Sequence, residues 1–243
     1  MFERLKKVFV TGKADAGEAG ASDEAVSEWA GTRGFAFTGM GQGKGFVLKG
    51  NVGGKPWKME RGRPSRDYIR GEELRARGEV KVNEDLTVLV MNRALKDGLE
   101  KKAYQAYTDT LQTTADPSMP EEVRWLAMYP EVGWESLPTA FWQRYAVMAD
   151  HRSHALAWLD PNLVELLMSW PEPGPDLQVP FILMVLRGKT YLRMQYTPAD
   201  MPTLEHAALI FTTACESAIA GLPTTSRCKP QAAYSDLNGL NRS

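Results

Sequence analysis

Length, composition and charge describe a chain that can bury a large core and carries almost no net charge. The chain has 243 residues, 43% of them hydrophobic and 24% charged, and its 29 basic and 30 acidic side chains leave a net charge of -1. This balance argues against a dedicated, sequence-specific nucleic-acid binder, and no apolar run approaches the roughly 18 residues of a membrane-spanning helix.

The chain starts with a basic amphipathic segment followed by a linker, residues 1–21. In a helix, Phe2, Leu5 and Phe9 share one face and the basic residues between them face water, which is typical of a segment that docks on a partner or a membrane surface. The alternative is a frayed terminus without a role, since so short a helix is marginal in water. The Gly- and Ala-rich residues 11–21 predict a flexible tether.

Residues 22–115 predict a first α+β subdomain. Ser22 is placed to cap a short helix over 22–32, and strand patterns follow at 35–37, 45–49, 56–61, 73–82 and 86–91. Gly53-Gly54 fits a hairpin turn. We expect these strands to form an antiparallel meander, which a helix over 94–110 closes.

Residues 116–222 predict a second α+β subdomain, and residues 223–243 a disordered tail. A polar, proline-containing boundary at 116–120 precedes a helix over 121–129, an aromatic strand over 141–149 and two helices over 151–159 and 161–170. An apolar strand over 179–186, a Gly188-Lys189 turn, a return strand to 196 and a long helix over 201–220 complete it. The expected fold is α+β, with two small antiparallel sheets each packed against helices and the long C-terminal helix on the second sheet.

Residues 141–196 carry a pattern that resembles a bacterial domain family of unknown function. The pattern is the aromatic strand from Phe141, then Asp150, Ala155 and Leu159, then Pro161 and Leu163, followed by an apolar strand hairpin. Members of that family often carry membrane segments elsewhere in their chains. The resemblance implies a bacterial protein and no particular activity.

A Gly-rich stretch, Gly39 to Val47, resembles the glycine-rich loop of protein kinases because it lies between two predicted strands. The other kinase motifs are missing from the sequence. The stretch also departs from a phosphate-binding P-loop, since Gly45 follows Lys44 where Ser or Thr would bind magnesium. The sequence therefore predicts a Gly-rich hairpin loop.

A cluster of acidic and imidazole side chains offers a possible metal or acid-base site. His151 and His154 are three apart on a predicted helix, with Asp150 before them, and His206 is the remaining histidine. Together they would suit a metal-assisted hydrolase. The alternative is that Asp150 caps the helix and the histidines lie at the surface.

A basic stretch over residues 55–81 holds nine basic and five acidic side chains, with aromatic residues between them. It suits docking on a phosphate backbone or an anionic surface, and equally a solvated polar face of a meander. The candidate binding residues are Arg61, Arg63, Arg66, Arg75 and Arg77.

The sequence favours a cytoplasmic protein without a cofactor and without an enzyme motif. Cys215 and Cys228 are its only cysteines, no secretory signal precedes the first helix, and no Ser or Cys nucleophile motif occurs. The leading hypothesis is a non-enzymatic module that docks on a protein partner or on the inner face of the membrane. The metal-assisted hydrolase is the alternative, and phosphate-backbone binding is a third.

Overall fold

The computed structural model describes residues 21–41, 44–110 and 121–224 as one α+β unit. Within these residues an antiparallel sheet of eight strands is combined with seven helices. The α+β class is thus confirmed, whereas the expected pair of small sheets is wrong, because strands from both halves of the chain pair in the same sheet. None of the described helices is long and apolar enough to cross a membrane.

The elements run in the following order along the chain. The strands are β1 (Ala36–Gly39), β2 (Phe46–Val52), β3 (Lys55–Gly62), β4 (Glu73–Glu79), β5 (Thr87–Asn92), β6 (Tyr145–Ala149), β7 (Phe181–Leu186) and β8 (Lys189–Gln195). The helices are α1 (Asp23–Thr32), α2 (Arg93–Thr110), α3 (Glu121–Met128), α4 (Thr139–Arg144), α5 (Arg152–Trp158), α6 (Pro161–Met168) and α7 (Met201–Gly221).

The strand order is β1-β2-β3-β4-β8-β7-β5-β6, so only the first four strands form the expected meander. Strand β8 pairs with β4 along its whole length, and β5 is separated from β4 by the β7–β8 hairpin. The burial of the strands explains this order. Strands β5 and β6 are buried on both faces and β7 nearly so, while β2, β4 and β8 alternate. Strands that are apolar on both sides need helices on both sides, so they group under the helical layers.

Helices pack against most of one face of the sheet and against only part of the other face. Helices α1, α4, α5, α6 and α7 pack with the inner side chains of the strands in the larger of two hydrophobic cores. On the opposite face, α2 and α3 form a smaller core with β5, β6 and β7. The half of that face formed by β2, β3, β4 and β8 carries no helix among the described residues.

The sequence predicted the cap at Ser22 and the first hairpin turn correctly, and it placed the second hairpin turn one residue too late. Ser22 accepts a hydrogen bond from the Ala25 N–H, as predicted for an N-cap, and Asp160 caps α6 in the same way by accepting from the Leu163 N–H. The Gly53-Gly54 turn is confirmed by positive φ angles of 55° and 70°. The second hairpin turns one residue earlier than expected, at Arg187-Gly188, because Lys189 already pairs with Leu186.

The predicted strand over 141–149 is helical in its first part. Residues 139–144 form α4, and only 145–149 form the strand β6. The two aromatic side chains that suggested a strand, Phe141 and Tyr145, are four residues apart, which also places them on one side of a helical turn. Their ring centroids lie 5.4 Å apart, and both side chains are buried. The four-residue spacing is therefore compatible with the two-residue period of a strand and with the 3.6-residue period of a helix.

The packing of α7 on the sheet depends on the absence of a side chain at Gly78 in β4. A Cβ atom there would lie 2.8 Å from the Cys215 sulfur and 3.3 Å from the Phe211 ring, both on α7. We expect Gly78→Ala to lower the free energy of unfolding by about 2 kcal/mol through overpacking, although alanine suits a strand better than glycine.

Urea denaturation followed by tryptophan fluorescence measures this effect. Gly62→Ala is the matched control, because Gly62 also lies in a strand and its nearest neighbour to an added Cβ is the Arg75 side chain at 3.8 Å. The control should change the unfolding free energy by less than about 1 kcal/mol. Equal effects of the two substitutions would show that α7 does not pack closely at Gly78.

Candidate functional site

The uncovered part of the sheet, the solvent-facing side chains of β2, β3, β4 and β8, is rich in cations. We call it the open half-face. Its members are Val47, Lys49, Asn51, Lys58, Glu60, Arg75, Arg77, Glu79, Lys189, Tyr191 and Arg193. These positions alternate with core residues along each strand, so their direction follows from the period of two.

Three cations lie side by side across this surface. Lys49 is the register partner of Lys58, and Lys58 is the register partner of Arg77, so the three side chains stand in a row over three neighbouring strands. We call these three residues the cation row. Like charges directly opposite each other in a sheet repel, so the row favours an anion above it. Tyr191 of β8 continues the row beyond Arg77.

The remaining charges of the open half-face are largely compensated. Glu60 lies 2.6 Å from Lys58 Nζ and accepts a hydrogen bond of 2.9 Å from Arg75 Nε. Partial burial by itself would raise the pKa of the Glu60 carboxyl, but these two cations hold it below its ordinary value. Lys189 pairs with Glu79 at 3.3 Å. Among the described residues, Lys49 and Arg77 are left without an ion partner.

A buried charge cluster separates the open half-face from the helical half. Glu122 at the start of α3 is fully buried, and its Oε1 accepts hydrogen bonds from Arg66, Tyr68 and Arg193 at 2.8, 2.9 and 2.7 Å. Burial first, and the Glu122 carboxylate second, raise the pKa of the Tyr68 phenol. The phenol therefore stays a neutral donor at physiological pH.

A second buried carboxylate lies on the other side of Arg193. Glu73 accepts hydrogen bonds from the Ser65 N–H at 2.6 Å and from its hydroxyl at 3.1 Å. Arg193 Nε lies 2.9 Å from Glu73 Oε1, close enough for an ion pair but outside the direction of a hydrogen bond. Arg193 is thus fixed between two carboxylates, which makes it part of the framework and leaves the cation row as the accessible charge.

Two hollows flank the cation row. The larger, of about 440 Å³, lies toward β1 and is bordered by Ala36 and Lys49; the smaller, of about 200 Å³, lies toward β7 and is bordered by Met184 and Tyr191. Lys58 and Arg77 line both hollows, so they form a positive ridge between them. A ligand on this surface would contact positive charge at the centre and could fill a hollow on either side.

The structure brings only two of the five predicted basic residues to this surface, Arg75 and Arg77. Arg61 lies on the opposite face of the sheet, 8% exposed, where its guanidinium stacks on Phe46 and donates to the Ala21 carbonyl. The Arg66 guanidinium is engaged by Glu122, and Arg63 is an exposed residue after the end of β3. Side chains alternate between the two faces along β3, so Arg61, three residues after Lys58, lies on the opposite face.

Sequence reasoning left Lys49 and Lys58 out of the candidate set. Lys49 lies before the basic stretch in the sequence, so a search for dense charge could not include it. The available signal was the period of two: Phe46, Leu48 and Val52 are apolar, and Lys49 is out of phase with them. The cation row also depends on the register between strands, and a single sequence does not show this register.

The predicted metal cluster is brought together in part. His154 Nδ1 lies 3.0 Å from Asp150 Oδ1. His151 is the N-cap residue of α5, and its Nδ1 lies 2.8 Å from the Ser153 hydroxyl. His206 is held elsewhere, with its Nε2 2.8 Å from the Leu166 carbonyl and its ring on Trp170. Within the described residues, no three His, Cys, Asp or Glu side chains form a group that could hold a metal ion.

Other candidate features have the following places. Phe2, Leu5 and Phe9 lie outside the described residues, as does the predicted boundary at 116–120. In the Gly-rich loop, Gly45 has a φ of 123°, and a Cβ there would meet the Arg61 carbonyl, so this glycine serves a close backbone approach. Burial raises the pKa of the Cys215 thiol to about 12, which leaves it inert as a nucleophile.

No known family model matches this chain, no curated protein matches its sequence and no solved structure matches its fold. The resemblance of residues 141–196 to a bacterial domain family therefore stays a prediction.

Proposed function

We propose that this protein is a non-enzymatic docking module that binds an acidic segment of a protein partner on the open half-face. The observation that carries the proposal is the cation row, in which Lys49, Lys58 and Arg77 are adjacent in register and two of the three have no ion partner among the described residues. An acidic segment placed over the row would neutralise the repulsion between its members.

The shape of the surroundings favours a protein segment over a lipid bilayer. Helices α2 and α3 stand on the neighbouring half of the same sheet face, and a helix with its side chains is about 10 Å thick. A flat bilayer would meet these helices before it reached the cation row. A helix or an extended peptide fits beside them and would continue their layer over the sheet.

The composition of the surface supports a polypeptide ligand as well. Tyr191 and Met184 border the hollow on one side of the row, and aromatic and methionine side chains are enriched in protein interfaces. The N-terminal residues Phe2, Leu5 and Phe9 are proposed as a second docking element on the strength of their sequence pattern alone.

The test measures binding of the full chain to fluorescein-labelled poly-L-glutamate by anisotropy. We expect Lys49→Glu, Lys58→Glu and Arg77→Glu together to weaken binding at least about tenfold, because the charge contacts become repulsive. A matched triple variant reverses three exposed cations on α2, α3 and α5 that have no ion partner among the described residues. It carries Lys101→Glu, Arg124→Glu and Arg152→Glu, and it should lose less than about threefold since only the net charge changes.

Two results would contradict the proposal. If both triple variants weakened the binding of poly-L-glutamate equally, binding would depend on the net charge of the protein and not on a particular site. Binding of the unmodified chain to phosphatidylserine-containing vesicles, with no binding to poly-L-glutamate, would assign the surface to a membrane. Thermal melting of each variant confirms that the charge reversals leave the fold intact.

A further inference from the structure

A separate concave site lies on the helix-covered side of the sheet, between α1 and α7. Its volume is about 460 Å³, within the range of about 300–1,000 Å³ that is common for small-molecule sites. Its apolar lining consists of Trp29, Phe35, Pro171, Pro202, Ala208 and Leu209. Leu209 is 49% exposed although it belongs to α7, so the cavity leaves a large apolar side chain open to solvent.

Two opposite charges face this apolar lining. Arg33, the C-cap residue of α1, and Glu205 on α7 both line the cavity. Arg33 is exposed and Glu205 is half-buried, and neither side chain has an ion pair within the described part of the chain. A charged group in a largely apolar cavity favours a ligand group of opposite charge.

His206 adds an acceptor next to Glu205. The carbonyl of Leu166 can only accept, so the His206 Nε2 at 2.8 Å from it carries the proton. Burial lowers the pKa of this imidazole, so it is neutral at physiological pH and its Nδ1 holds a free lone pair. The Trp170 ring, 4.8 Å away, fixes the orientation of the imidazole.

We infer that the cavity between α1 and α7 binds a small zwitterion with an apolar body, an α-amino acid with a large apolar side chain. The ammonium group is recognised by Glu205 with His206 beside it, the carboxylate by Arg33, and the side chain by Trp29, Phe35 and Leu209. An apolar amine would leave Arg33 without a partner, and an apolar acid would leave Glu205 without one. This site lies on the opposite side of the sheet from the cation row and does not depend on the proposed function.

Isothermal titration calorimetry on the full chain tests the inference with three probes: L-phenylalanine, phenethylamine, which lacks the carboxylate, and 3-phenylpropionate, which lacks the ammonium group. A partly exposed ion pair stabilises a complex only weakly, so we expect L-phenylalanine to bind about threefold more tightly than either analogue. Equal affinities for the three probes would overturn the zwitterion assignment.

Substitutions of the two charged residues give a crossed pattern that a general loss of binding cannot imitate. Glu205→Gln should remove the advantage of L-phenylalanine over 3-phenylpropionate and keep its advantage over phenethylamine. Arg33→Gln should do the reverse. If each substitution changed the affinities of all three probes by the same factor, the assigned roles of these side chains would be wrong.

A blocking substitution locates the site. Leu209→Lys places a long side chain in the mouth of the cavity and should abolish binding of L-phenylalanine. Leu156→Lys is the matched control, because Leu156 is a 44% exposed leucine on α5 outside the cavity. Binding that persists in Leu209→Lys, or that is absent from the unmodified chain at millimolar L-phenylalanine, would overturn the inference. Unchanged melting temperatures show that both variants are folded.

Discussion

Replacing Glu122 with alanine is expected to lower the free energy of unfolding by about 3 kcal/mol. The side chain is fully buried, and one of its oxygens accepts hydrogen bonds from Arg66, Tyr68 and Arg193. Removing the carboxylate leaves two cations and a phenol without their shared acceptor. The estimate lies at the lower end for a broken buried ion pair, because the Arg66 and Arg193 side chains are 26% and 17% exposed and Arg193 keeps Glu73.

The preceding residue gives a matched control. Glu121 also lies in the first turn of α3, and its carboxylate is 3.9 Å from Arg66 Nη2 with a 35% exposed side chain. Glu121→Ala should change the unfolding free energy by less than about 1 kcal/mol. Urea denaturation measures both variants, and hydrogen exchange should show faster opening of α3 in Glu122→Ala only. A loss below about 1 kcal/mol for Glu122→Ala would mean that the cluster does not fix α3 to the sheet.

Replacing Trp158 with alanine is expected to lower the free energy of unfolding by about 4 kcal/mol. Trp158 is fully buried at the end of α5, and its indole N–H donates a hydrogen bond of 2.9 Å to the Ala214 carbonyl on α7. The substitution leaves a large cavity between two helices and removes this contact. Trp158→Phe keeps most of the apolar volume and should cost about 1.5 kcal/mol.

The control for this series is Leu156→Ala on the same helix. Leu156 is 44% exposed, so its truncation should change the unfolding free energy by about 0.5 kcal/mol or less. Chemical denaturation of the three variants measures the series. If Trp158→Phe cost as much as Trp158→Ala, the hydrogen bond to Ala214 would be the main contribution of the side chain, and the filling of the cavity a minor one.

The elements with a strong local signal were predictable from the sequence. The apolar period of α7, the N-caps at Ser22 and Asp160 and the Gly53-Gly54 turn all depend on residues close in the chain. The pairing of β4 with β8 depends on residues more than a hundred positions apart, and many antiparallel pairings satisfy the same apolar alternation. Two small sheets and one large sheet were therefore equally compatible with the pattern.

The candidate site was predictable only as a region. Charge density identified Arg75 and Arg77, and strand alternation was sufficient to show that Arg61 lies on the other side of β3 from Lys58. The cation row exists because of the registers of two neighbouring strand pairs, which one sequence does not determine. The cavity at Arg33 and Glu205 likewise joins two helices from opposite ends of the chain.

The pairing of β4 with β8 has a consequence for synthesis of the chain. Strands β1 to β4 are complete once residue 79 has been made, but the partner that covers the free edge of β4 ends at Gln195. During translation at about 5–20 residues per second, this edge waits roughly 6 to 23 seconds for its partner. An open strand edge is a template for pairing with other chains. The nascent protein therefore passes through a stage in which its first four strands are vulnerable to association between ribosome-bound copies.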